Sequence, residues 1–168
     1  MTITLFAQPY DISAAGFYFE TVEQYDALSA SAVNDYGGQV EEFEIQFIDG
    51  EPIDCALAKA WEIDQGDFAA YLKAVEAWDH HEKLRVIITL QQGIPFDPVS
   101  DDLDGLDVEV YEEESLRGLA ERFVEEGLFG EIPEPMRSYI DYDAIARDLG
   151  MEYAVTEIAG ERLVYRCG

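Results

Sequence analysis

The chain has 168 residues, of which 48% are hydrophobic, a content typical of a packed core and not of a disordered acidic tail. Its 37 acidic residues against 10 lysines and arginines give a formal net charge of −27. A surface of this sign should repel nucleic acid and attract basic clefts, which excludes a nucleic-acid-binding protein.

The N-terminal third predicts a small sheet with one helix. Residues 3–8 and 15–20 are typical of two strands joined by a turn. Thr21 then begins a helix that is predicted to end near Val33. Residues 41–48 alternate between apolar and polar side chains, which indicates a half-buried strand.

The middle of the chain predicts two helices followed by a strand. Asp54 and Asp67 stand where each could cap a helix. Residues 84–90 (LRVIITL) form a short apolar run that is typical of a buried strand. Residues 93–105 contain glycines, prolines and aspartates and predict a loop.

The C-terminal third predicts helices and a hairpin. Ser115 is placed to cap a helix with apolar residues at helical spacing, and Gly127 to end it. Asp141 should cap a further helix. Residues 152–158 and 161–166 predict a β-hairpin. The elements together predict an α+β fold.

Neither membrane nor disulfide signals are present. The N-terminus lacks the features of a signal peptide, and no apolar run approaches the roughly 20 residues of a membrane span. The sequence therefore predicts a cytoplasmic protein without membrane contact. Cys55 and Cys167 match neither a disulfide framework nor a zinc spacing.

Catalytic signatures are also absent from the sequence. There is no nucleophile elbow, Walker A loop or dinucleotide fingerprint. His80 and His81 would point about 100° apart on a helix, which makes a poor two-ligand metal site. We therefore expect that the protein is not an enzyme and that it binds neither a cofactor nor a metal.

One segment resembles a calcium loop. With Gly105 at position 6, position 1 is Ser100, and position 12 is Tyr111, where a bidentate glutamate is required. The acidic ligands at positions 1 and 12 of the loop are thus missing. A calcium-binding domain that uses the aspartates of residues 97–107 remains the less favoured alternative.

The carboxylates have spacings comparable to those of DNA phosphates. On a strand, residues i and i+2 share a face about 6.6 Å apart, as Glu42 and Glu44 or Asp107 and Glu109 would. Duplex DNA carries one phosphate per ~3.4 Å of each strand, and 27 charges correspond to about 46 Å of duplex. Composition by itself favours an ordinary acidic or salt-adapted protein over a DNA mimic.

A DNA-mimic surface would use the acids of the two most acidic stretches, residues 1–60 and 101–134. These candidates are Glu20, Glu23, Asp26, Glu41, Glu42, Glu44, Asp49, Glu51, Asp101, Asp102, Asp104, Asp107, Glu109, Glu112, Glu113, Glu114, Glu121, Glu125 and Glu126.

A more specific pattern follows the acidic helix of the C-terminal third. Residues 128–134 read LFGEIPE and residues 139–142 read YIDY. This arrangement resembles the ArdA antirestriction proteins, and Leu163, Val164 and Tyr165 resemble the last strand of that family. An early strand, Gly16 with an aromatic neighbour, and the acidic strand follow the family's order more loosely.

The resemblance implies fold, partners and function. It implies an elongated protein of three small modules, here 1–61 (sheet plus helix), 62–103 (mainly helical) and 104–168 (sheet plus helices). It implies a homodimer that blocks the DNA-binding cleft of type I restriction–modification enzymes and so protects an incoming mobile element from host defence. A different DNA-binding target, such as another restriction enzyme, a CRISPR effector or a nucleoid protein, remains open.

The segment from Leu128 to Tyr142 is too apolar to imitate phosphates. A two-fold interface has an apolar and aromatic centre with a charged rim, and the resemblance places the dimer contact in this module. The alternative is a loop packed on the core of its own domain. The predicted interface residues are Leu128, Phe129, Ile132, Pro133, Met136, Tyr139 and Ile140.

Overall fold

The computed structural model describes residues 2–168 and divides the chain into two compact units. The N-terminal unit ends at Asp104, and the C-terminal unit comprises Gly105–Gly168. Each contains one three-stranded antiparallel sheet together with helices. The predicted α+β fold class is confirmed. The further division of the chain near residue 61 stays a prediction.

The N-terminal unit builds its sheet in the order β2-β1-β3. A single bridge pairs Val33 with Gln39 in the connection between the first helix and the third strand. The elements in chain order are β1 (Thr4–Pro9), β2 (Phe17–Phe19), α1 (Val22–Ala30), β3 (Phe43–Asp49), α2 (Pro52–Trp61), α3 (Phe68–Ala77) and α4 (His80–Gln91).

Aromatic side chains fill the core beneath this sheet. Phe19 of β2 lies 5.1 Å from the Tyr25 ring of α1 and 5.2 Å from the Phe68 ring of α3, measured between ring centroids. Phe43 of β3 makes an edge contact with Phe17 at 5.4 Å. Rings of this size bury much apolar area, and edge contacts add to that burial. The cluster therefore holds α1 and α3 against one face of the sheet.

The predicted strand at residues 84–90 is wrong, because this segment lies inside α4. Leu84, Val86 and Ile87 are all fully buried, so the helix has apolar contacts around most of its circumference. A helix buried on all sides shows no polar face, and its sequence is then indistinguishable from that of a buried strand. Asp79 and Glu82 begin the helix with a reciprocal capping box.

The predicted cap at Asp54 is also wrong. Helix α2 begins at Pro52, whose fixed φ suits the first helical position, and Glu51 occupies the N-cap. Asp54 lies within the first turn and is buried. Asp67 does occupy the N-cap of α3. Its carboxylate accepts a hydrogen bond from the Trp61 indole N–H, and it accepts none from the backbone N–H groups of α3.

The C-terminal unit has a sheet of order β4-β6-β5. Leu119 and Phe123 of its first helix and Val164 of the sheet form the centre of its core, flanked by Tyr111 and Tyr153. Its elements are β4 (Val108–Tyr111), α5 (Leu116–Glu125), a 3-10 helix (Glu134–Tyr139), α6 (Tyr142–Leu149), β5 (Ala154–Ile158) and β6 (Glu161–Cys167).

Several predicted helix ends are confirmed. The side chains of Thr21, Ser115 and Asp141 each accept a hydrogen bond from the backbone N–H three residues later. Gly127 follows α5 with a φ of 78°, a left-handed conformation that glycine adopts without a Cβ penalty. Gly160 turns the predicted C-terminal hairpin with a φ of 80°. Among residues 2–168, no helix has the length and apolar character needed to cross a membrane.

Candidate functional site

Acidic side chains cover the surface of both units. Of the 37 acidic residues, 30 are exposed, six are half-buried and Asp54 is buried. The N-terminal unit carries 21 acids against 4 lysines and arginines, a net charge of −17, and the C-terminal unit carries 16 against 6, a net charge of −10. Each unit by itself is therefore strongly anionic.

The acids predicted for a DNA-mimic surface are accessible. Seventeen of the nineteen are exposed, Glu109 and Glu113 are half-buried, and none is buried. Their carboxylates are therefore available to a partner, while their contact with one stays a prediction.

The acidic strand β3 has the predicted alternation at its beginning. Phe43 and Ile45 are buried, whereas Glu44 between them is exposed and accepts a hydrogen bond from the Gln46 amide at 3.1 Å. Glu42 is exposed just before the strand. Burial of the apolar face thus holds the carboxylates on the opposite, solvated face.

Several acids of the C-terminal unit have cationic neighbours. On α5, Arg117 lies 3.3 Å from Glu121 and Arg122 lies 2.9 Å from Glu126. Across the sheet, Arg166 lies 2.9 Å from Glu109. Exposed pairs of this kind contribute only about 0–1 kcal/mol, so a basic partner can compete for these carboxylates.

The aspartates after α4 bind the backbone of their own loop. Asp97 accepts from the N–H of Val99 and from the Ser100 hydroxyl, and these bonds hold the pKa of Asp97 below its ordinary value. Asp101 accepts from the N–H of Asp97. Within residues 97–107, which the structure describes throughout, no three aspartate or glutamate side chains bring carboxylate oxygens within 4.8 Å of one another. This arrangement lends the calcium alternative no support.

A buried polar cluster joins the three later helices of the N-terminal unit. The Lys83 ammonium of α4 lies 2.8 Å from the Asp54 carboxylate of α2. The Tyr71 hydroxyl of α3 donates to the Asp54 carbonyl at 2.6 Å, and burial raises the pKa of Tyr71. Sequence reasoning missed this cluster, because Tyr71 and Lys83 lie 17 and 29 residues from Asp54 along the chain and the three residues share no motif.

The predicted interface segment is exposed within the chain. The exposed fractions are 61% for Leu128, 54% for Phe129 and 80% for Tyr139. Met136 and Pro133 are also exposed, and Ile132 and Ile140 are half-buried. Most of the segment is therefore not buried in the core of its own unit, while its role as an interface stays a prediction.

Comparison with known protein families identifies the chain's relatives. A family model described as Antirestriction protein (ArdA) matches residues 5–161. The chain belongs to the ArdA family. The matched range includes the N-terminal two thirds, which resembled the family only loosely by its motifs. No curated protein matches the chain. As a member of the ArdA family it is an antirestriction protein, and the predicted resemblance is confirmed.

Proposed function

We propose that this ArdA protein inhibits type I restriction–modification enzymes by occupying their DNA-binding cleft with its exposed carboxylates. The exposure of seventeen of the nineteen candidate acids is the observation on which the proposal rests. A cleft that binds DNA presents lysine and arginine to phosphates, and a protein with carboxylates at similar spacing satisfies the same groups.

The charge of each unit sets the length of duplex it would replace. At one charge per ~1.7 Å of duplex, the net −17 of the N-terminal unit corresponds to about 29 Å of DNA, and the −10 of the C-terminal unit to about 17 Å. Because each exposed contact contributes about 0–1 kcal/mol, the affinity would be distributed over many acids.

Block neutralisation tests this proposal. The first variant changes eight acids of the N-terminal unit to amides, which keep the side-chain shape and one of the two acceptor oxygens. These are Glu20, Glu23, Asp26, Glu41, Glu42, Glu44, Asp49 and Glu51. A matched control changes eight exposed acids outside the candidate surface, namely Asp35, Glu62, Glu76, Glu131, Glu134, Asp148, Glu152 and Glu157.

The assay is cleavage of DNA by a purified type I enzyme in the presence of each variant. The first variant should lose inhibition, while the control should keep most of it. Single changes such as Glu44→Gln or Glu125→Gln should have little effect. Equal losses in both eightfold variants would show that net charge matters and the placement of the acids does not. If the wild-type protein does not inhibit the type I enzyme but inhibits another DNA-binding enzyme, the proposed target would be wrong and DNA mimicry would still explain the inhibition.

We also propose that the protein forms a homodimer through residues 128–140. The exposed Phe129 and Tyr139 support this proposal, because an exposed apolar and aromatic patch rimmed by acids is typical of an interface. Two chains of charge −27 repel each other, so the contact should strengthen with salt. The complex with the enzyme should weaken with salt instead.

Sedimentation equilibrium at low and high salt separates these contacts. Phe129→Glu or Tyr139→Glu should give a folded monomer that still binds the enzyme, but more weakly. Tyr36→Glu, at a position 92% exposed in the N-terminal unit, is the control and should leave the dimer intact. A wild-type protein that is monomeric at tens of micromolar in both salts would refute the dimer.

A further inference from the structure

The outer face of the N-terminal sheet carries an aromatic pair, in which Phe6 is half-buried and Tyr18 is exposed. Leu5 and Ala7 of β1 are buried against the core, so the alternating side chain of Phe6 lies on the opposite face. Phe6 pairs in register with Tyr18 of the edge strand β2, and their ring centroids are 4.7 Å apart. Tyr18 remains 62% exposed, which leaves a phenol ring accessible to a partner.

Two carboxylates flank this aromatic pair on the same face. Glu20 follows Tyr18 by two residues and accepts from the Thr4 hydroxyl at 3.4 Å. Glu44 of β3 pairs in register with Gln8, two residues from Phe6 on β1. Glu20 therefore lies about 7 Å along the chain from Tyr18, whereas Glu44 lies about 7 Å along the strands from the row of the rings and two strands away from Tyr18. We name Phe6, Tyr18, Glu20 and Glu44 the aromatic–acidic face.

Gly16 leaves the space that the Phe6 ring occupies. A Cβ at this residue would lie 2.4 Å from Cζ of Phe6 and 2.6 Å from the backbone oxygen of Ala7. The Phe6 ring thus occupies the space that any other residue at position 16 would fill. In this space Phe6 packs against the exposed Tyr18 ring, with 4.7 Å between the ring centroids.

We infer that the aromatic–acidic face binds an arginine side chain of the protein that this ArdA family member inhibits, an inference that rests on the proposed function. A guanidinium group is planar, stacks on aromatic rings and pairs with carboxylates, whereas an ammonium group is more strongly hydrated and stacks less well. Arginine is also the side chain that DNA-binding clefts use most often to contact guanine.

Charge complementarity selects a protein segment over a nucleic acid as the occupant. Exposed aromatic rings on a sheet also stack nucleic-acid bases, but such surfaces carry a basic groove for the backbone. Here the unit has a net charge of −17, and Glu20, Glu44 and Gln46 share the outer face of the sheet with the rings. A phosphate backbone would be repelled at this face, and a cationic side chain would be attracted.

Binding of two peptides to the full chain tests the inference. One peptide carries arginines, and the other carries lysines at the same positions, with equal length and charge. Calorimetry should show that the wild-type protein binds the arginine peptide more tightly, and that Tyr18→Leu weakens binding of the arginine peptide about two- to fivefold, the loss expected of one exposed cation–π contact. Tyr18→Leu should abolish this preference and Tyr18→Phe should retain it. Tyr36→Leu, which removes a more exposed ring elsewhere in the unit, should leave it unchanged.

Three results would overturn the inference. These are equal wild-type affinity for the two peptides, an arginine preference that survives in Tyr18→Leu, and Tyr18-dependent binding of a single-stranded oligonucleotide. The peptide assay contains no restriction enzyme, so it is independent of the proposed function. If the wild-type protein inhibits no restriction enzyme but shows the Tyr18-dependent arginine preference, the proposed function would be refuted. The assignment of an arginine-binding site would then still hold.

Discussion

The buried ion pair between Lys83 and Asp54 should be a strong determinant of the stability of the N-terminal unit. Only 10% and 5% of the two side chains are exposed, and their charged atoms are 2.8 Å apart. Replacing Lys83 by Met removes the cation and leaves the Asp54 carboxylate desolvated without its charge partner. Breaking a buried pair in this way costs about 3–5 kcal/mol.

The same reasoning predicts that removing both charges is much less harmful. Replacing a buried pair by apolar residues of similar volume is often neutral or stabilises by about 1–4 kcal/mol. The Tyr71 hydroxyl donates to the backbone carbonyl of Asp54, so this bond survives a change of the Asp54 side chain. The double variant Asp54→Leu with Lys83→Met should therefore recover most or all of the stability that Lys83→Met loses.

Tryptophan fluorescence during urea unfolding is a selective assay for this prediction. Both tryptophans of the chain, Trp61 and Trp78, belong to the N-terminal unit, and their rings stack at 5.9 Å. Lys73→Met removes an exposed lysine of the same unit and serves as a control that should change the free energy of unfolding by less than about 0.5 kcal/mol.

A loss below about 1 kcal/mol in Lys83→Met would refute the reasoning, because it would mean that the pair is solvated. A double variant as unstable as the single one would also refute it, since the damage would then come from lost packing. If Lys83→Met does not fold, recovery of folding in the double variant still decides the question.

Three further predictions concern single residues. Gly16→Ala should lower the free energy of unfolding by about 1–3 kcal/mol in the same fluorescence assay, because the new Cβ overlaps Phe6 and the backbone of β1. Ser115→Ala should cost the C-terminal unit about 1 kcal/mol, measured by circular dichroism, since it removes the cap of α5, whereas Ser115→Asp should cost less. Burial and the neighbouring Glu109 raise the pKa of Tyr111 from 10.0 to about 12. Because the fold favours the neutral phenol, its contribution to stability is complete below pH 10 and is lost as the pH rises to about 12. The difference in the free energy of unfolding between wild type and Tyr111→Phe, followed as the pH rises, measures this loss. An identical pH dependence of stability in the two proteins would contradict the raised pKa of Tyr111.

Local signals in the sequence were sufficient to predict many element ends. A cap such as Ser115 needs only the backbone N–H groups of the next turn, so its partner is always nearby along the chain. Gly127 is likewise recognisable because a left-handed residue after a helix favours glycine. The alternation in the acidic strand predicted which carboxylates face solvent, because a strand with one buried face repeats every two residues.

The tertiary structure decided what depends on groups distant in the chain. Residues 84–90 are helical because neighbours surround α4, and the β-branched run by itself fits either structure. Asp54 pairs with a lysine 29 residues away, and no local pattern encodes that distance. The sequence of residues 128–140 suits a buried loop as well as an exposed patch, because an apolar side chain is compatible with either location until the rest of the domain has packed. Net charge is a sum over residues and can be read from the sequence, whereas accessibility depends on which surfaces the folded chain leaves uncovered.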